Sequence, residues 1–155
     1  MKRYIFSLLL GSCFVVWAVL PVRADWEFTK WGMSPEQVVQ ASNGRARPEP
    51  DEISSVLLKQ DWQSGRFLFR VSYFFDEDKR GQRLTKIQLQ LKNTELMDEL
   101  VVDLKRKYGT PRGEIKGHVS GPYWEYSGDN INYLTDQKTV IIHYEPVVSK
   151  GKPSG

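Results

Sequence analysis

Cysteine is almost absent from this chain. The only one, Cys13, stands within the first 24 of 155 residues. With no second cysteine there is no disulfide, so the apolar core must supply the stability. Histidine is nearly as scarce, with only His118 and His143. Neither belongs to an HxxxH or HxH pair, the kind of spacing that marks a metal site, so no metal and no cofactor is expected. Ser120 lacks the Gly-x-Ser-x-Gly elbow of a hydrolase. Asp76-Glu77-Asp78 lacks the sixth-position glycine and closing glutamate of an EF-hand. An excess of one charge sign is missing as well. Of 22 Lys+Arg, three (Lys2, Arg3, Arg23) fall in the first 24 residues, where no acid occurs. From Asp25 onward 19 cations therefore face 19 anions. A balanced chain has no electrostatic footprint for nucleic acid, and no nucleic-acid partner is expected.

What is present first is a leader. Lys2 and Arg3 precede an apolar run from Ile5 to Leu20, broken only by Ser7, Gly11, Ser12 and Cys13, and Val22 and Ala24 follow. This order predicts a secretory signal peptide over residues 1–24, cleaved after Ala24, and a periplasmic or secreted product. Two alternatives stand beside it: lipidation at Cys13 within Leu10-Gly11-Ser12-Cys13, and an uncleaved anchor. After the leader no apolar run approaches the roughly 18 residues of a membrane span, so no transmembrane segment is expected once it is cleaved. The 155 residues less these 24 leave 131, a length that suits one domain. We read that domain over residues 25–147 and a disordered tail over 148–155, where aromatics give way to Ser, Lys, Gly and Pro.

Ser34-Pro35-Glu36-Gln37 carries the marks of a helix start: an N-cap serine, proline at the first position and a capping-box glutamine. Asn43-Gly44 ends this helix. Three strands follow, Ser54–Trp62, Arg66–Phe75 and Leu84–Leu91, with Asp76–Gln82 as a charged turn. In the second, Phe67, Phe69, Val71, Tyr73 and Phe75 share a face; in the third, Ile87, Leu89 and Leu91 point inward. A second helix runs from Thr94 to Tyr108, with Leu96, Leu100, Leu104 and Tyr108 four apart and Lys105-Arg106-Lys107 complementing the dipole of its last turn. Three more strands, Pro122–Ser127, Ile131–Thr135 and Thr139–Tyr144, complete the order α-β-β-β-α-β-β-β. The expected fold is α+β in two layers, with antiparallel sheet of about six strands and two helices on one face. The two helix starts, Ser34 and Thr94, suggest a duplicated unit.

The segment Trp26-Glu27-Phe28-Thr29-Lys30-Trp31-Gly32-Met33-Ser34 resembles the opening of a group of small exported bacterial proteins of unknown function, which begin with an aromatic-rich strand and a Trp-Gly-Met-Ser turn into a helix. Leu104 to Pro111 resembles the helix end of such domains. A helix followed by an antiparallel meander is similar to the β-lactamase-inhibitor-protein-like fold, shared with small outer-membrane assembly lipoproteins. The resemblance implies a binding role rather than catalysis, with an envelope protein or another cell-envelope component as partner.

Aromatics point to a surface. Trp26, Trp31, Trp62, Tyr123, Trp124, Tyr126, Tyr133 and Tyr144 are many for one domain, and one sheet face under two helices cannot bury them all. Phe74 points away from the Phe67/Phe69 face, and Trp124 and Tyr126 point away from Tyr123. These three, with Arg70 as polar companion, are the expected contact patch of an exported interaction module. The alternative for the aromatics is a curled sheet with both faces partly covered. For function, the alternatives are a small hydrolase built on His118 or His143, and an apolar-ligand carrier, which requires a cavity between sheet and helices.

Overall fold

The computed structural model describes residues 26–49 and 58–147. The leader, the beginning of the strand expected from Ser54 and the tail 148–155 lie outside the described residues.

The first helix, α1 (Pro35–Ala41), is set by its cap. The Gln37 amide donates to Ser34 Oγ at 3.3 Å, and the Ser34 amide donates to Gln37 Oε1 at 2.8 Å. Asn43 and Gly44 adopt positive φ (55° and 73°) and close the helix. A helix of two turns has little intrinsic stability, so the cap matters. Ser34→Ala is expected to lower stability by about 1 kcal/mol in urea denaturation. An unchanged midpoint would mean that packing alone holds α1.

Eight strands form one antiparallel sheet, not about six: β1 (Arg47–Pro48), β2 (Leu58–Ser64), β3 (Phe67–Asp78), β4 (Gly81–Leu91), β5 (Gly113–Ile115), β6 (Gly121–Tyr126), β7 (Asp129–Thr135) and β8 (Val140–Pro146). A 3-10 turn (Thr94–Leu96) leads into α2 (Met97–Tyr108). The two strands missing from the sequence reading are β1 and β5, of two and three residues, too short to display alternation. Both are sheet edges, the place in a sheet where a proline such as Pro48, paired on one side only, is tolerated.

The sheet order is β1-β2-β3-β4-β8-β7-β6-β5. Read outward from the central β4–β8 pair, both halves run back through a four-strand meander to the helix that precedes it. The topology therefore repeats an α-β-β-β-β unit.

The expected alternation of β3 holds: Phe67, Phe69, Val71, Tyr73 and Phe75 are all buried. The charged segment after it is not a long turn. Pairing continues to Asp78 opposite Gly81, and the reversal is confined to Lys79-Arg80. The register shifts between Phe74 and Phe75, which face Lys86 and Leu84, so Thr85 bulges. Leu84 and Ile87, three apart, consequently both reach the core.

Residues 26–33 form turns rather than an aromatic-rich strand. They nevertheless tie the sheet together. The Gly32 amide donates to the Leu84 carbonyl, and the Leu84 amide to that of Met33. The Trp31 indole donates to Asp129 Oδ1 at 2.7 Å. Trp26 is buried against Trp62, Tyr73 and Tyr144, with ring centroids 5.2, 6.1 and 6.5 Å away. This segment is a third covering element, and it takes up aromatics that two helices alone would leave exposed. Val38 of α1 and Leu100 and Leu104 of α2 join the same core cluster as the inward sheet residues.

Candidate functional site: an apolar cleft beside the second helix

The expected contact patch divides between the two faces of the sheet. Phe74 and Arg70 lie on the face away from the core. Phe74 is half-buried, with Lys86 Nζ 4.5 Å from its ring centroid. The Arg70 guanidinium is held by Asp61 at 2.7 Å and Glu49 at 3.9 Å. Ser72 beside them in β3, and Gln88, Gln90, His143 and Asn132 across the ladders, make this the more polar face of the sheet.

Trp124 and Tyr126 lie on the other face. Trp124 is opposite Ile131 and only 1% exposed, while Tyr123, opposite Asn132, takes the outer face. The Trp124 indole donates to the Gly109 carbonyl at 2.9 Å. Tyr108 meets Tyr126 edge-on at 5.2 Å, and its hydroxyl lies 3.0 Å from that of Tyr144. Trp124 and Tyr126 thus fasten the end of α2 to the sheet and do not share a surface with Phe74. The alternation in β6 was legible, but its phase was not: both faces of the strand carry aromatics, and only pairing with β7 distinguishes them.

The histidines are also apart from each other. His118 is an exposed loop residue. His143 is on the polar face, its Nε2 3.0 Å from Gln88 Oε1. Burial, and secondarily the Lys86 charge, hold its pKa below the ordinary histidine value. The unfolded chain then binds a proton more readily than the folded one. Stability from this site is complete above an ordinary histidine pKa of about 6.5 and is lost as pH falls from there towards the lower folded value. His143→Gln is expected to flatten the fall in urea midpoint between about pH 7 and 5. Parallel profiles for variant and wild type would refute this linkage. Among the described residues no group of three or more His, Cys, Asp or Glu could hold a metal ion, and no helix is long and apolar enough to cross a membrane.

One concave feature that sequence reasoning did not locate lies between α2 and the inner face of the sheet; a second, of about 420 Å³, lies beside Phe74, Lys86 and Glu145. The first is a cleft of about 460 Å³ that opens to solvent over a nearly closed floor, Phe67, Phe69, Leu89, Leu100, Leu104 and Ile142 each being 7% exposed or less. Its walls are Trp62, Phe67 and Phe69 from the β2–β3 hairpin, Leu89 and Ile142 from the central strands, and Leu100 and Leu104 from α2. Trp62 stacks on Phe69 at 5.5 Å, which stiffens one wall. Tyr144 also lines the cleft, and burial keeps its phenol protonated far above the usual tyrosine range.

The cleft follows from geometry. An eight-stranded sheet is wider than two short helices can cover, and only Leu100 and Leu104 of α2 are buried. The rim, by contrast, is polar, with Ser64, Gly65 and Arg66 on the hairpin side and Asp103 and Lys107 on the helix side. Arg66 pairs with Glu99, and Asp103 accepts from Arg106 at 2.6 Å. Lys107 Nζ lies 5.1 Å from the Tyr108 ring centroid, with no carboxylate in ion-pair reach among the described residues. The signal available in the sequence was the four-residue stripe of α2 beside the basic triplet that ends it. No family model, no curated protein and no solved structure matches this chain.

Proposed function

We propose that this chain is an exported binding module that takes up an apolar ligand in the cleft between α2 and the sheet. The observation that carries this reading is a volume of about 460 Å³ walled by aromatic and aliphatic side chains, with a polar rim. Small-ligand sites share this size, roughly 300–1,000 Å³, and this mix of apolar walls with a few polar groups at the edge. Export rests on the leader pattern of Lys2, Arg3, the Ile5–Leu20 run and Ala24. The binding class expected from the sequence is kept, but its site moves from a flat aromatic patch to a concavity. The hydrolase alternative gains no support, because neither His118 nor His143 lines the cleft.

The test uses the neutral fluorophore N-phenyl-1-naphthylamine and methyl NMR. Binding in the cleft shifts the methyl signals of Leu89, Leu100, Leu104 and Ile142 and leaves those of Leu68, Leu134 and Ile141, on the polar face, in place. Shifts confined to the second set, or no shifts at saturating probe, would overturn the proposal.

A further inference from the structure

Resting on the cleft reading above, we infer that the ligand is an amphiphile with a single alkyl chain and an anionic headgroup, its chain in the cleft and its headgroup at Lys107. The apolar walls select the chain, and the rim selects the headgroup by charge complementarity. Three charged side chains border the cleft: Arg66, Asp103 and Lys107. Arg66 is already engaged by Glu99. Asp103 is already engaged by Arg106 at 2.6 Å, so a cationic headgroup finds no free anion there. Lys107 is the rim cation whose charge no described carboxylate answers.

Two further features make an anion acceptable at this end of α2. The negative end of the helix dipole is partly satisfied, because the Gly109 amide donates to the Lys105 carbonyl at 2.9 Å and the Trp124 indole to the Gly109 carbonyl at 2.9 Å. The phenol that lines the cleft, Tyr144, stays neutral by burial and is 3.0 Å from the Tyr108 hydroxyl, so it adds no competing negative charge. An ammonium on a flexible stem suits this role, since it can follow a headgroup across an open mouth while its methylenes cover the chain.

The experiment titrates wild type, Lys107→Gln and Lys105→Gln with decanoate, decanol and decyltrimethylammonium, following the same methyl signals. Lys105 occupies the same helical turn but does not line the cleft. Decanoate is expected to bind the wild type about two- to fivefold more tightly than decanol, the size of a rim charge pair, and decyltrimethylammonium more weakly than either. Lys107→Gln should remove that advantage, and Lys105→Gln should change it by less than about twofold, because its charge is farther from the mouth and screened. Equal affinities for the three amphiphiles, or equal effects of the two lysine variants, overturn the headgroup assignment. If N-phenyl-1-naphthylamine still shifts the cleft methyls, the apolar site survives that result; if it does not, both readings fall together.

Discussion

Gly121→Ala is expected to destabilise the fold by about 3 kcal/mol or more, because the new methyl has nowhere to go. Gly121 opens β6 with φ +152°, and a Cβ there would sit 2.2 Å from the Tyr133 carbonyl oxygen and 2.9 Å from Tyr133 Cδ1. The close approach is imposed by the adjoining bridge, in which Ser120 and Thr135 exchange backbone hydrogen bonds of 3.0 and 2.9 Å. Tyr133 cannot step aside. It is buried, and its hydroxyl donates to the Met97 carbonyl at the start of α2. The obstacle is backbone, so relief requires moving β6 against β7. Gly113→Ala is the informative comparison. Its Cβ would come within 2.8 Å of an atom of Tyr123, but that atom is near the free end of a side chain that can swing. We expect Gly113→Ala to cost less than about 1 kcal/mol. Urea denaturation of both variants checks this, and equal costs would mean that β6 can shift against β7 at little cost.

Trp124→Ala is expected to cost about 3–5 kcal/mol, the range for deleting a large buried aromatic. The residue is 1% exposed and connects three elements: it pairs with Ile131 of β7, lies 6.1 Å from the Tyr108 ring of α2, and donates to the Gly109 carbonyl that follows that helix. Trp124→Phe should cost less, about 1–3 kcal/mol, since it keeps most of the apolar volume but leaves that carbonyl without its donor. Loss of the indole bond should also show locally, as faster hydrogen exchange at the last amides of α2. This result separates two roles. A tryptophan in an exposed contact patch could be removed with little loss of stability, as surface substitutions usually are within about 0.5 kcal/mol. A near-neutral Trp124→Ala would restore the patch and remove Trp124 as the anchor of α2.

Each element that could be read from the sequence rested on neighbours close in the chain. Ser34, Pro35 and Gln37 specify the start of α1 within one turn, and the observed capping box follows that pattern. The Phe67-to-Phe75 alternation specifies a half-buried strand, because period-two burial is a property of an extended backbone whatever it packs against. The stripe through Leu100 and Leu104 specifies the buried side of α2 in the same way. The misreadings share a different cause. Asp129 falls outside the strand expected from Ile131 to Thr135. In the fold it begins β7 and is buried at 5% exposure, accepting from the Trp31 indole 98 residues away in sequence. The turn is Ser127-Gly128, both at positive φ. Nothing near Asp129 in the chain announces a tryptophan partner.

The balanced charge, the α+β class, the capped first helix, the inward set of β3 and the striped second helix are legible in the residues alone. These depend on local periodicity and on chemistry within a few residues. Tertiary structure alone decided that six expected strands are eight, that Trp124 faces inward while Phe74 does not, and that a polar-rimmed cleft opens beside α2. Those features depend on strand register, on the closure of β4 against β8, and on the width of a sheet relative to the helices and N-terminal segment that cover it. Such quantities are set by contacts between distant parts of the chain, and one strand or helix read alone does not contain them.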